Sequence, residues 1–240
     1  MPVDAPSVLV IACGALAREL LAINELNDLG NVTVECLPAS LHNRPKEIPE
    51  LVRERIRRAR DVQDVSDTSS TDVQDVSDTP WTSDGDLMDR GTESSFGTFD
   101  TILIGYADCG TGGLLEKVCQ EEGVEMLAGA HCYQFFATHE RFDELQDHAL
   151  GSFYLTDFLA RNWERLIWEG MGIAKHPELR DMYFGNYTRL VYLEQTDDPK
   201  ALAAARDCAA RLGLELHIEH TGYGELEATL VDVTRKNSPE

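Results

Sequence analysis

The chain has no apolar run approaching the roughly 18 residues that a membrane-spanning helix requires. Its opening, Met1-Pro2-Val3-Asp4, lacks a basic n-region, and Val8–Ala12 is too short for a signal h-region. The expected location is therefore cytoplasmic. Positive charge is scarce: 21 Lys and Arg stand against 43 Asp and Glu, for a net charge of −22, and the lysines are only Lys46, Lys117, Lys175, Lys200 and Lys236. Such a surface repels nucleic-acid phosphate and anionic lipid, so neither is an expected partner. A dense acidic surface with few lysines suits a halophilic protein, because salt screening lets like charges crowd; an ordinary acidic protein is the plainer alternative. No C-x-x-C pair, P-loop, dinucleotide fingerprint or Asp-x-His-x-x-Gly motif is present, which removes the strongest signals for structural zinc, nucleotides and base-off cobalamin.

What is present is a 240-residue chain, 42% hydrophobic, long enough for a real core. Val8–Ala12 reads as a buried strand, followed by a helix to about Leu29, a strand at Val32–Leu37 and a basic helix from about Glu47 to Arg60. A strand at Thr101–Gly105, a helix to about Glu122 and a short strand at Val124–Leu127 continue the rhythm, and an aromatic helix starts near Tyr133. Residues 152–175 read as one long helix, with Trp163, Leu166, Ile167 and Met171 at helical spacing; Leu190–Leu193, Ala201–Leu212 and Leu214–Ile218 form a final β-α-β unit. The expected fold class is α/β, Rossmann-like, with a mostly parallel sheet and flanking helices. The chain is one α/β domain, divisible into Rossmann-like halves at 1–150 and 151–240. Residues 61–95 interrupt the pattern. Asp61–Thr68 recurs word for word at Asp72–Thr79, and the segment holds ten acidic residues and one basic. This is a disordered, low-complexity acidic insertion. It lacks the Gly and terminal Glu of an EF-hand loop.

Three of the six cysteines occupy equivalent places. Cys13, Cys109 and Cys132 each lie between the carboxyl end of a strand and the next helix. In an open parallel sheet those ends share one edge, where ligands bind, and the helix N-termini favour thiolate over thiol. Three thiolates with an open position suit zinc or an iron–sulfur cluster, with Asp108 or His131 as acid/base or fourth ligand. Alternatives are a cofactor-free catalytic thiol, or small side chains that simply pack well in tight turns. Cys36, Cys119 and Cys208 sit mid-strand or mid-helix and read as core. The run Gly110-Thr111-Gly112-Gly113 opens a helix, so Thr111, Gly112 and Gly113 are candidates to bind a carboxylate or phosphate; a tight packing turn is the other reading. Arg44, after the second strand, could clamp a substrate carboxylate or could be an exposed loop residue.

The words Ala12-Cys13-Gly14-Ala15-Leu16, Tyr106-Ala107-Asp108-Cys109-Gly110-Thr111-Gly112-Gly113, Gly129-Ala130-His131-Cys132-Tyr133-Gln134-Phe135-Phe136 and Tyr183-Phe184-Gly185-Asn186-Tyr187 resemble the prokaryotic domain-of-unknown-function family 1638 over most of the chain outside the insertion. That resemblance implies an association with corrinoid and methylamine-type methyltransferase genes, hence one-carbon or methyl metabolism. In layout alone, the cysteines are also similar to those of quinolinate synthase and of the aspartate/glutamate racemases. Three functions follow: a metal- or iron–sulfur-dependent enzyme acting on a small polar metabolite; a metal-free cysteine racemase or hydrolase; and a non-catalytic accessory protein of a corrinoid methyltransferase system. Deleting residues 61–95 is expected to leave folding intact, with a melting temperature close to that of the full chain; a large loss on thermal unfolding would mean the segment is packed.

Overall fold

The fold follows from two runs of parallel strands, of which Val8–Cys13 is buried along its whole length. In the computed structural model, residues 6–65 and 99–236 are described. The first part comprises β1 (Val8–Cys13), α1 (Ala17–Leu26), β2 (Val32–Leu37), α2 (Ile48–Val65), β3 (Thr101–Gly105), α3 (Leu114–Glu122), β4 (Glu125–Met126), α4 (Cys132–Ala137) and α5 (His139–His148). The second comprises β5 (Ser152–Thr156), α6 (Asp157–Arg161), α7 (Leu179–Phe184), β6 (Arg189–Glu194), α8 (Pro199–Leu212), β7 (Glu215–His220) and α9 (Gly224–Lys236).

The four-stranded sheet has the order β2-β1-β3-β4 and the three-stranded sheet β5-β6-β7, and every pairing is parallel. This is the expected Rossmann-like α/β architecture. β1 lies at the centre with all six residues buried, as a strand covered on both faces must be. It approaches β3 closely: a methyl added at Gly105 would sit 2.7 Å from the Ala12 Cβ. In the second sheet the two-residue period sorts the core. Tyr154, Val191 and Leu193 join the apolar cluster of the first sheet, together with Leu226, Leu230 and Val233 of α9. Leu155, Leu190 and Tyr192 face the other way, onto α6 and α8.

Two expectations change. Residues 152–175 are not one helix. Ser152–Thr156 forms β5, and Thr156 caps α6 by accepting from the Leu159 amide at 3.3 Å; a π-helical turn then covers Glu164–Glu169. The aromatic and β-branched run Phe153-Tyr154-Leu155-Thr156 gains more by packing between two layers than as a helix turn. The basic helix also continues past Arg60, so residues 61–65 of the acidic segment are helical; its remainder lies outside the described residues. The arginines of α2 are held internally: Arg55 and Arg58 on Glu35 at 2.8 and 2.6 Å, Arg53 on Glu121 at 2.7 Å, and Arg57 and Arg60 on Glu122 at 2.9 and 3.3 Å. Among the described residues no helix is long and apolar enough to cross a membrane.

Where α6 meets the turn after β1, two carboxylates are buried. Asp157 is completely enclosed but satisfied, accepting from the Tyr192 hydroxyl at 2.6 Å and from the amides of Gln195 and Thr196 at 3.2 and 3.1 Å. Glu19 has a buried oxygen with no partner, and burial, reinforced by Asp157, raises its carboxyl from 4.5 to about 7. A carboxyl whose folded value is raised contributes stability fully below its unfolded value, and loses it as pH rises through 7. Glu19→Gln should therefore raise the melting temperature at pH 8–9, relieving a cost on the order of 3 kcal/mol. The gain should vanish toward pH 5; equal melting temperatures of variant and wild type at pH 9 would contradict it.

Candidate functional site

Three turns at the carboxyl edge of the four-stranded sheet converge. Cys13 ends β1, is 3% exposed, and its Sγ accepts from the Ala15 amide at 3.4 Å. His42, in the turn after β2, brings Nδ1 to 3.8 Å from that sulfur. The turn after β3 is pinned to the turn after β4 by two backbone bonds. The Asp108 amide donates to the Gly129 carbonyl at 3.1 Å, and the Cys109 amide donates to the Ala130 carbonyl at 3.0 Å. That clamp sets Cys109 against Cys132, the first residue of α4. Cys109 takes a left-handed backbone conformation, φ 47°, which a residue with a Cβ adopts at some cost and only where its surroundings enforce it.

The thiols are electrostatically distinct. Burial pushes Cys13 up to about 12. Cys132 donates to Cys109, and that bond lowers Cys109 below the ordinary thiol value against the effect of its burial. Conversely, the bond to Cys109 and then burial raise Cys132 well above it. The two thiols thus titrate as a pair, with Cys109 the more acidic member. Burial lowers His42 from its ordinary value, and neighbouring His131 lowers it further. Tyr106, just beyond β3, is 2% exposed and has a hydroxyl without a hydrogen-bond partner.

Other sequence-selected residues have different surroundings. The Asp108 carboxylate accepts from the Thr111 hydroxyl and the Gly113 amide, both at 2.7 Å, and from the Gly112 amide at 3.1 Å. Burial opposes its ionisation, but these donors prevail and hold it below the usual carboxylate range. The amides expected to bind a substrate anion thus already hold one from the chain itself. Asp108 locks a loop with three positive-φ glycines, Gly110, Gly112 and Gly113. Arg44 is on the surface, paired with Glu47 at 3.1 Å. His131 precedes α4 and is exposed, its ring 6.2 Å from that of Tyr133. Asn43 ties the His42 turn to the second part of the molecule, donating to the Leu166 carbonyl in the π-helical turn at 3.1 Å.

Sequence reasoning passed over His42 and Tyr106, although both follow strand ends, the signal that selected the cysteines. It also assigned no role to His220. This residue ends β7 and, with Glu194 at the end of β6 and Asp197, forms a group whose ligand atoms all lie within 4.8 Å of one another. One imidazole and two carboxylates are a donor set suited to a divalent ion.

Two parallel sheets flanked by helices define a Rossmann-like α/β protein. The chain belongs to the family described as Protein of unknown function (DUF1638), whose profile matches residues 92–230, including Cys109 and Cys132 but not Cys13. No curated protein and no solved structure matches it.

Iodoacetamide should modify Cys109 ahead of Cys13, Cys36, Cys119 and Cys208, as read by peptide mass mapping. Because the Cys109 value is lowered, its reaction should extend to lower pH than that of the other thiols. Cys132→Ala removes the donor and should slow the reaction at pH 7. First modification at another thiol would contradict the assignment.

Proposed function

We propose that Cys13, Cys109 and Cys132 hold a metal centre with one open position, and that the protein is a metal- or iron–sulfur-dependent enzyme acting on a small polar metabolite. The observation that carries this is the convergence of thiols from three separate turns on one sheet edge, near enough for each to feel the charge of the others. A four-coordinate zinc site with bonds of about 2.3 Å would hold its sulfurs about 3.8 Å apart. Among the described residues, however, the group gathered within 4.8 Å is Glu194, Asp197 and His220 rather than the thiols. An iron–sulfur cluster, whose irons are themselves separated, would take sulfurs set farther apart and leave one iron for substrate. His131 is the acid/base candidate because it is exposed beside the site, whereas the Asp108 carboxylate is engaged by its loop. A reducing compartment such as the cytoplasm suits the six free cysteines.

A second reading is supported by the clamp that sets Cys109 beside Cys132: a thiol lowered by a neighbouring thiol is a nucleophile–acid pair suited to metal-free racemase or hydrolase chemistry. Elemental analysis and an optical spectrum of anaerobically purified protein separate the two. The metal reading expects iron with sulfide and a brown band, or near-stoichiometric zinc, and loss of that metal in Cys13→Ser, Cys109→Ser and Cys132→Ser. A metal-free wild-type sample, or a serine variant that keeps its full metal content, would overturn it.

A further inference from the structure

The three-stranded sheet has a carboxyl edge of its own, formed by other turns than those that carry Cys13, Cys109 and Cys132. In the parallel ladder of β6 and β7, Glu194 is paired with His220, so the last residues of the two strands stand side by side. The two-residue period puts the Glu194 side chain on the face of Leu190 and Tyr192, against α6 and α8, and it is 6% exposed. Burying a carboxylate is costly unless donors surround it. Asp157, at the end of β5, has such donors: the Tyr192 and Thr196 hydroxyls and the amides of Gln195 and Thr196. Glu194 has none of these. Among the described residues its one side-chain partner is the His220 imidazole, which is exposed and carries charge only when protonated. Asp197 completes the group. Its carboxylate is exposed and has no partner among the described residues, and the ligand atoms of all three residues lie within 4.8 Å of one another.

The backbone around this group is fixed from outside it. Asp157 holds the amides of Gln195 and Thr196, between Glu194 and Asp197, at 3.2 and 3.1 Å. Asp198 caps α8 by accepting from the Lys200 amide at 2.9 Å, and the Thr221 amide donates to the Glu194 carbonyl at 3.0 Å. We propose that Glu194, Asp197 and His220 bind one divalent transition-metal ion, independently of the cysteines, with its other positions open to water or to an oxygen of a small polar metabolite. The ion supplies the positive charge that the buried carboxylate lacks. Bonds of about 2.1 Å set two donors of one ion about 3–4 Å apart, which small rotations of the exposed Asp197 and His220 side chains reach. The imidazole sets the choice of ion, since Ca²⁺ and Mg²⁺ take oxygen ligands.

The test is a Mn²⁺ titration of the full chain, read by loss of the free-ion EPR signal in about 1 M KCl, where diffuse attraction to the acidic surface is screened. Mn²⁺ prefers oxygen and nitrogen to thiolate, so the cysteines do not compete for it. Wild type should bind one Mn²⁺ per chain. Loss of an outer partner of a ligand already costs about 10–100-fold in affinity, so Glu194→Gln, Asp197→Asn and His220→Ala should each weaken binding about tenfold or more. Cys13→Ser and Cys109→Ser should keep it, as should Asp181→Asn on α7. Glu194→Gln also separates the two roles of that carboxylate. The metal-free variant should melt no lower than metal-free wild type, while the rise in melting temperature that Mn²⁺ gives wild type should disappear. The proposal is overturned by wild type without a stoichiometric Mn²⁺ site, by unchanged affinity in the three ligand variants, or by loss of the ion in the cysteine variants. The first two outcomes leave the three-cysteine centre untouched.

Discussion

Two backbone hydrogen bonds hold the site together, from the amides of Asp108 and Cys109 to the carbonyls of Gly129 and Ala130. They join the turn after β3 to the turn after β4, a strand of only two residues with little ladder of its own. The rest of the cysteine geometry depends on that clamp. It holds Cys109 in a left-handed conformation and sets it beside Cys132. Gly129 is part of the same constraint: its φ is +112°, and a methyl there would meet the Gln134 side chain at 2.7 Å. Gln134 in turn accepts from the Ala130 amide at 2.6 Å, so the turn entering α4 is fixed from both sides.

The acidic composition is handled differently inside and outside. Part-buried carboxylates each have an assigned partner: Glu35 and Glu122 have the arginines of α2, Asp198 has Arg161 at 2.7 Å, and Asp108 and Asp157 have hydroxyls and amides. Glu19 departs from this rule through its one unpartnered oxygen, and it lies where the first turn of the chain meets α6. Arginine suits these positions because its fork bonds carboxylate at low desolvation cost, which fits a chain in which lysines are few.

Much of this was legible in advance. Continuous apolar strands alternating with amphipathic helices announce a parallel sheet, and a parallel sheet puts every strand's carboxyl end on one side. Cys13, Cys109 and Cys132 could therefore be selected from position alone. The same reasoning failed where a local pattern had two solutions. Apolar residues at 152–175 fit a helix by spacing, yet the β-forming run at its start is claimed by the second sheet. The glycine-rich turn has the composition of an anion site, but only the folded loop reveals that Asp108 is the anion.

By itself the sequence determined the α/β class, the parallel strand rhythm, the acidic surface and the edge on which the reactive residues lie, because these depend on periodicity and composition. The tertiary structure decided that burial raises Cys13 while a neighbouring thiol lowers Cys109, that His42 approaches Cys13, and that Arg44 and the Gly112 and Gly113 amides have partners within the chain. Those properties depend on hydrogen-bond partners and burial contributed by residues tens of positions away, and no local pattern encodes them.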